Sequence, residues 1–127
     1  MKTIACSIIL TLLMSITSVA PAQSLTLQQQ NAVRAAEGYL MMGGFSRDGL
    51  IAQLSSPYGD QFDEADARAA VDSLSVDWDR QAALAAERYI AMMGFSCRGL
   101  VDQLMSVNGE RFTRAQAENG ARAAGAC

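Results

Sequence analysis

The sequence predicts an all-α protein that consists of two tandem three-helix, helix-turn-helix-like repeats of about 45 residues behind an N-terminal signal peptide. Composition supports a folded chain, since 127 residues of which 50% are hydrophobic and 18% charged are typical of a globular protein. An internal repeat supports the tandem arrangement: the stretch GGFSRDGLIAQLSSPYGDQF at 43–62 returns as MGFSCRGLVDQLMSVNGERF at 93–112. Apolar residues at helical spacing within each copy support the all-α class.

The segment 1–22 has the features of a secretory signal peptide. Lys2 precedes an apolar run that ends near Ala20, and small residues occupy the two positions that are read before a cut after Ala22. We therefore expect cleavage after Ala22 and an exported protein, periplasmic or secreted. The alternative is an uncleaved segment that anchors the chain in a membrane, although the run is shorter than the roughly 20 residues that a span needs.

The rest of the chain divides into two units of similar length. Identities between residues fifty positions apart continue without a gap across 35–71, which places repeat 1 at 23–76 and repeat 2 at 77–127. Each unit is expected to fold as three short helices joined by tight turns.

The first helix of each repeat is predicted at roughly 26–42 and 79–93, because both segments are rich in Ala, Gln, Leu and Met and end at glycines. Thr26 and Gln29 have the spacing of a capping box. Methionines close both helices, and we predict that they belong to the core rather than to a flexible binding surface. They are Met41, Met42, Met92 and Met93.

The second helix begins after Ser46 in repeat 1 and after Ser96 in repeat 2, because a serine hydroxyl can cap the free N–H groups of the first turn. Its apolar residues recur at i, i+1 and i+4 and form one buried stripe. The stripe consists of Leu50, Ile51 and Leu54 in repeat 1, and of Leu100, Val101 and Leu104 in repeat 2.

The third helix is predicted to begin at Asp63 or Thr113, with Phe62 or Phe112 packing against its first turn as a hydrophobic staple. Its apolar face is weaker in the second repeat, where small residues replace larger ones. The face consists of Ala67, Ala70, Val71 and Leu74 in repeat 1, and of Ala117, Gly120, Ala121 and Ala124 in repeat 2.

Two cysteines remain after the predicted cleavage, Cys97 and Cys127, because Cys6 lies inside the signal peptide. Antiparallel second and third helices would return the chain end to the start of the second helix, so we predict a Cys97–Cys127 disulfide. A ring of about thirty residues would stabilise the fold by roughly 3 kcal/mol and offset the weaker third helix. The alternative is two free or intermolecular thiols.

Charge and residue types exclude several classes of function. Residues 23–79 hold three arginines against nine acidic residues, whereas residues 80–127 hold six arginines against four. Acids at 63, 64 and 66 stand at the N-terminal end of the helix that would enter a DNA groove, so we expect no nucleic-acid partner. The absence of His from the sequence, of metal-ligand spacing and of a phosphate loop predicts a non-enzymatic protein without cofactor, metal or small-molecule substrate.

The two repeats share the pattern A-x-x-Y-x5-F-S-x-x-G-L-x-x-Q-L-x-S-x-x-G-x-x-F, which begins at Ala36 and at Ala86. This pattern resembles the Ltp-type repeat of the host cell surface-exposed lipoproteins. The resemblance implies a pair of compact helical units outside the cytoplasmic membrane. Family members that are best understood are phage-encoded superinfection-exclusion proteins, which stop DNA injection by a later phage by engaging its tape measure protein. The lipoprotein cysteine of the family is missing here, which implies a form without a lipid anchor.

The resemblance thus predicts an exported binding protein whose partner is a polypeptide, such as a phage tail or tape measure protein. The alternative is a structural or interaction protein of the bacterial cell envelope with no antiviral role. An acidic first repeat suits a basic or mixed-charge partner. Trp78, between two acidic residues, is predicted to pack across the repeat junction, with an exposed anchor for a partner as the alternative. The candidate partner-binding residues are Asp60, Asp63, Glu64, Asp66 and Trp78.

Overall fold

The computed structural model describes residues 23–127, so the predicted signal peptide at 1–22 lies outside the described residues. Within the described residues all regular structure is helical, which confirms the all-α prediction. Helices α1–α3 form repeat 1 and α4–α6 form repeat 2. Their bounds are α1 Leu27–Met42, α2 Arg47–Ser55, α3 Glu64–Asp72, α4 Trp78–Met92, α5 Cys97–Met105 and α6 Arg114–Ala123. None of these helices combines the length and the apolar character that a membrane crossing requires.

The helices begin where local hydrogen-bonding groups can satisfy free backbone N–H groups. Thr26 and Thr113 form complete capping boxes with the glutamines three residues on. Ser46 and Ser96 cap α2 and α5 as predicted. Asp63 precedes α3, but its side chain makes no capping hydrogen bond. The starts of five helices are therefore fixed by side chains that are adjacent in sequence, Asp77 capping α4 in the same way.

Each repeat has its own core around the stripe of its second helix. Leu50 and Leu54 in repeat 1, like Leu100 and Leu104 in repeat 2, are fully buried. Truncating such a leucine to alanine costs about 2–5 kcal/mol. The predicted stripes are therefore confirmed as the centres of two small cores.

The small residues on the apolar face of α6 allow its backbone to approach that of α4 closely. A Cβ atom added at Gly120 would lie 2.7 Å from the backbone oxygen of Ala82. Such a distance is too short for two heavy atoms in contact, so the glycine lets the two backbones meet. The small residues of α6 hence serve close packing, which is a role that the sequence comparison of the two third helices did not reveal.

The two repeats meet where α4 lies against the loop that follows α1. Gln81 of α4 is 9% exposed, and its Oε1 atom accepts hydrogen bonds from the backbone N–H groups of Gly44 at 2.7 Å and Phe45 at 3.2 Å. Arg88 of α4 donates to the carbonyl oxygen of Gly43 at 2.7 Å. We call these contacts the joint. Gly43 and Gly44 have φ angles of 75° and 82°, a conformation that favours glycine, so the loop shape depends on both.

A second part of the joint connects α2 with the turn that precedes α6. The Ser46 hydroxyl, which caps α2, also donates a hydrogen bond to the backbone carbonyl of Glu110. A Cβ atom at Gly49 would lie 3.0 Å from the same carbonyl oxygen. Trp78, the first residue of α4, packs against the core of repeat 1. The repeats are thus held together by hydrogen bonds to backbone groups as well as by apolar contact.

The N-terminus of each second helix is tied to the C-terminal part of its repeat by a different interaction. In repeat 2 the predicted disulfide is present, with 4.7 Å between the Cα atoms of Cys97 and Cys127. In repeat 1, Arg47 occupies the position that corresponds to Cys97. Its guanidinium binds both carboxylate oxygens of Asp72, at 2.6 and 2.8 Å. One repeat therefore has a covalent tie where the other has an ion pair.

Loss of the disulfide should destabilise the protein by about 3 kcal/mol. The disulfide joins two cysteines 30 residues apart, and this cross-link lowers the conformational entropy of the unfolded chain. Urea unfolding of the oxidised protein, the reduced protein and Cys127→Ser would measure this. Reductant should leave Cys127→Ser unchanged. Equal stability of the oxidised and reduced forms would contradict the prediction.

Gln81→Ala should lower the free energy of unfolding by about 2 kcal/mol or more, because two N–H groups of the joint lose their acceptor and each costs about 1–3 kcal/mol if it stays unsatisfied. Asn31→Ala is the matched control, since Asn31 is the corresponding residue of α1 and its side chain hydrogen-bonds, among the described residues, to Arg34 of its own helix. The control should change stability by less than about 0.5 kcal/mol. Chemical denaturation of both variants is the measurement, and equal effects would argue against the joint.

Candidate functional site

Three of the four candidate acids of repeat 1 already have hydrogen-bond donors within the chain. Asp60 accepts from the Tyr39 hydroxyl at 2.8 Å, Glu64 from Arg68 at 2.8 Å, and Asp66 from the Gln29 side chain at 3.1 Å. The acids are therefore directed toward three different neighbours, although they are close in sequence. Their role in binding a partner stays a prediction.

Glu64 lines a groove between the two repeats, which we call the inter-repeat groove. It has a volume of about 790 Å³ and lies between α2, α3 and the segment 105–111 of repeat 2. Its lining includes the apolar residues Ile51, Met105 and Val107 and charged side chains of both signs. The lining residues are Arg47, Asp48, Ile51, Ala52, Ser55, Ser56, Pro57, Glu64, Arg68, Met105, Val107 and Arg111. Such a surface suits a polypeptide segment with an apolar side chain flanked by charges.

The charges of the groove are mostly paired with one another. Arg47 binds Asp48 and Asp72, and Arg68 binds Glu64. Arg111 donates to the carbonyl oxygen of Val107, four residues before it. A binding partner would therefore replace existing surface ion pairs with new ones. Such a replacement adds little to affinity, but it favours partners of complementary charge.

A tyrosine links the first helix of each repeat to the turn before the third. The Tyr39 hydroxyl donates to Asp60 and accepts from Gln53 at 3.3 Å. The hydrogen bond to Asp60 raises the pKa of Tyr39, and burial is the main cause that raises the pKa of Tyr89 in the corresponding place. Both phenols are therefore protonated at neutral pH and act as structural ties rather than as bases.

The methionines at the ends of α1 and α4 are exposed, so the prediction that they form core is wrong. The exposed fraction is 89% for Met41, 66% for Met42, 68% for Met92 and 58% for Met93. The second and third helices of each repeat pack against alanines nearer the middle of the first helix. The C-terminal end of the first helix is therefore left exposed. Helix propensity placed Met41, Met42 and Met92 correctly in helices but said nothing about their burial, and Met93 lies just beyond the end of α4 in extended backbone.

Trp78 is half-buried against the core of repeat 1, in the packing position that the sequence predicted. Its further role as an anchor for a partner stays a prediction.

Gln81 and Arg88, the two α4 side chains of the joint, were not identified from the sequence. Gln81 and Arg88 stand where repeat 1 has Asn31 and Gly38. The positions at which the two copies differ therefore contained the sequence information about the joint. Among the described residues no group of three or more His, Cys, Asp or Glu side chains is placed to hold a metal ion.

Asp72→Asn should destabilise the protein near neutral pH, by less than about 1 kcal/mol because both partners are partly exposed. Arg47 lowers the pKa of Asp72, so this stabilisation is present above the ordinary aspartate pKa of about 3.8 and is lost as the pH falls through the lowered value. Urea unfolding at pH 7 and pH 3 should show a difference from the unmodified protein that shrinks in acid. Asp102→Asn is the control, since Arg98 and Asp102 are more exposed and 3.8 Å apart. A difference that does not depend on pH would contradict the assignment.

One solved structure similar to this chain is described as "Structure of Ltp, a superinfection exclusion protein from the Streptococcus thermophilus temperate phage TP-J34". The two share 25% identity with a TM-score of 0.69, over 78% of this chain and 97% of that one. None of the curated proteins matches the sequence. The sequence pattern of the Ltp lipoprotein family, "Host cell surface-exposed lipoprotein", matches residues 28–74 and again 77–120. Its two matches correspond to the two three-helix repeats, and the protein belongs to this family.

Proposed function

We propose that this protein is an exported, non-enzymatic binding protein that excludes superinfecting phages by holding a polypeptide of the incoming particle. The observation that carries the proposal is the similarity to the superinfection exclusion protein of phage TP-J34 across 97% of that chain. The family description, which places its members at the host cell surface, supports the proposed export.

The acidic first repeat supports a polypeptide partner with basic or mixed charge. Asp63 and Glu64 are exposed, and Glu64 lines the inter-repeat groove together with apolar residues. Complementary charge accelerates the encounter of two proteins, and burial of an apolar side chain in the groove would slow their separation. The groove and the acids beside it are therefore the surface that we assign to the partner.

The full chain, expressed in a phage-sensitive host, should lower the plating efficiency of at least one tailed phage without changing adsorption of that phage. Phage DNA inside the cells should fall, because the proposed block acts after adsorption and before DNA injection is complete. Cell fractionation should find the protein outside the cytoplasm. Normal DNA injection by a panel of tailed phages would contradict the proposal and favour a structural role in the cell envelope.

Replacing acids of repeat 1 with the corresponding residues of repeat 2 tests the assigned surface. The triple variant Asp63→Thr, Glu64→Arg and Asp66→Gln gives repeat 1 the residues of repeat 2 at the same positions, where they begin a stable helix. We expect the variant to fold and to exclude phage less well than the unmodified protein. Glu37→Gln is the control, because it removes one exposed acid of α1 outside the groove. Equal exclusion by all three proteins would remove these acids from the partner surface.

A further inference from the structure

The two repeats carry opposite charges on one face. Six pairs of residues fifty positions apart are charged in both copies. Two pairs, on the first helix and in the turn before the third, keep an acid, and they are Glu37 with Glu87 and Asp60 with Glu110. At the other four pairs the sign is inverted, and all of these lie on the second and third helices. The inverted pairs are Asp48 with Arg98, Glu64 with Arg114, Arg68 with Glu118, and Asp72 with Arg122.

In both repeats the inverted residues lie along the outer side of the second and third helices. We call those of repeat 1 the repeat-1 face, and three of them line the inter-repeat groove together with Ile51. We call those of repeat 2 the repeat-2 face. Its residues line a separate cavity of about 570 Å³ between α5 and α6, together with Val101 and the disulfide. The two faces therefore have the same framework and opposite charge.

Helix stability does not explain the charges of the repeat-2 face. Arg114 stands in the first turn of α6, where the helix dipole favours an acid such as Glu64 of α3. An arginine four residues before a glutamate is also the weaker of the two orders of a helical ion pair. Accordingly, Arg114 and Glu118 are 3.7 Å apart, whereas Arg68 and Glu64 are 2.8 Å apart. The inverted charges hence favour an interaction beyond their own helix.

The third helices of the two faces complement each other in charge. Successive turns of α3 present a negative, a positive and a negative side chain, and α6 presents the opposite signs at the same spacing. These residues are Glu64, Arg68 and Asp72 on α3, and Arg114, Glu118 and Arg122 on α6. Both patterns are symmetric about their middle residue, so opposite charges meet whether the helices run parallel or antiparallel. Two repeat-1 faces would instead place Arg68 against Arg68.

We propose that the repeat-1 face of one copy of the protein binds the repeat-2 face of a second copy, with Arg68 opposite Glu118. Both side chains are accessible, at 48% and 44% exposure. Little apolar surface accompanies them, since Ile51 is 5% and Val101 7% exposed. The contact is therefore mainly electrostatic and weakens as salt is added. Two such contacts can close a symmetric dimer, in which each copy contributes both faces.

Sedimentation of the purified protein should show reversible association at low ionic strength that declines toward about 0.5 M salt. Arg68→Glu and Glu118→Arg, each alone, should weaken association at least about tenfold, because like charges then meet at the centre of every contact. Both changes affect exposed side chains, so both variants should fold, which a thermal melt checks. An unmodified protein that stays monomeric at low salt would overturn the proposal.

A mixture of the two variants identifies the faces that meet. The altered face of Arg68→Glu complements the altered face of Glu118→Arg, and their unaltered faces match as before. Equal amounts of the two should therefore associate as strongly as the unmodified protein. Arg34→Glu and Glu37→Arg are the controls, because they make the same charge changes on exposed residues of α1 and should leave association unchanged. Absence of recovery on mixing, or equal effects of the controls, would overturn the proposal.

Self-association would also cover part of the surface that we assign to the phage polypeptide, because Glu64 belongs to both. This competition rests on the proposed function, whereas self-association does not. Glu118→Arg changes only the repeat-2 face, so this variant should exclude phage at least as well as the unmodified protein. Weaker exclusion by folded Glu118→Arg would overturn the competition. Failure of the unmodified protein to exclude phage, with association and its recovery on mixing intact, would overturn the proposed function alone.

Discussion

The arrangement of the two repeats depends on one buried side chain, that of Gln81. Its carbonyl oxygen satisfies two backbone N–H groups of the loop after α1. Those groups would otherwise be left without partners in a closed interface, at a cost of about 1–3 kcal/mol each. Because each repeat has its own small core, apolar burial alone leaves their relative orientation weakly specified, whereas hydrogen bonds of fixed direction define it. The inter-repeat groove exists only in that orientation, since both repeats contribute residues to its walls.

Duplication explains the shared architecture, and divergence explains the different chemistry of the two halves. The N-terminus of the second helix is tied to the C-terminal part of its repeat by an ion pair in repeat 1 and by a disulfide in repeat 2. An ion pair weakens in acid, whereas a disulfide responds to reductants and not to protons. The two repeats thus have ties that fail under different conditions.

Much of the fold followed from local sequence. The helix starts at Thr26, Ser46, Ser96 and Thr113, the buried leucine stripes and the Cys97–Cys127 pair were all predicted and are present. These features depend on residues within a turn or two of each other, or on helix direction within one small unit. The burial of the terminal methionines was predicted wrongly, because helical spacing shows which residues share a face but not how far neighbouring helices extend along it. The candidate acids were identified from their charge, but the partners of Asp60 and Asp66, which are Tyr39 and Gln29, lie on another helix.

The sequence by itself determined the helical class, the duplication, the caps, the cores and the family, because each is written in short-range patterns that occur twice. Only the tertiary structure decided how the two copies meet, since that depends on residues at which the copies differ and on backbone groups that carry no sequence signal. The N–H groups of Gly44 and Phe45 are chemically the same as those of Gly94 and Phe95. One pair is bonded to Gln81 and the other is not, because only the loop of repeat 1, which has Gly43 and Gly44 at positive φ, lies against α4.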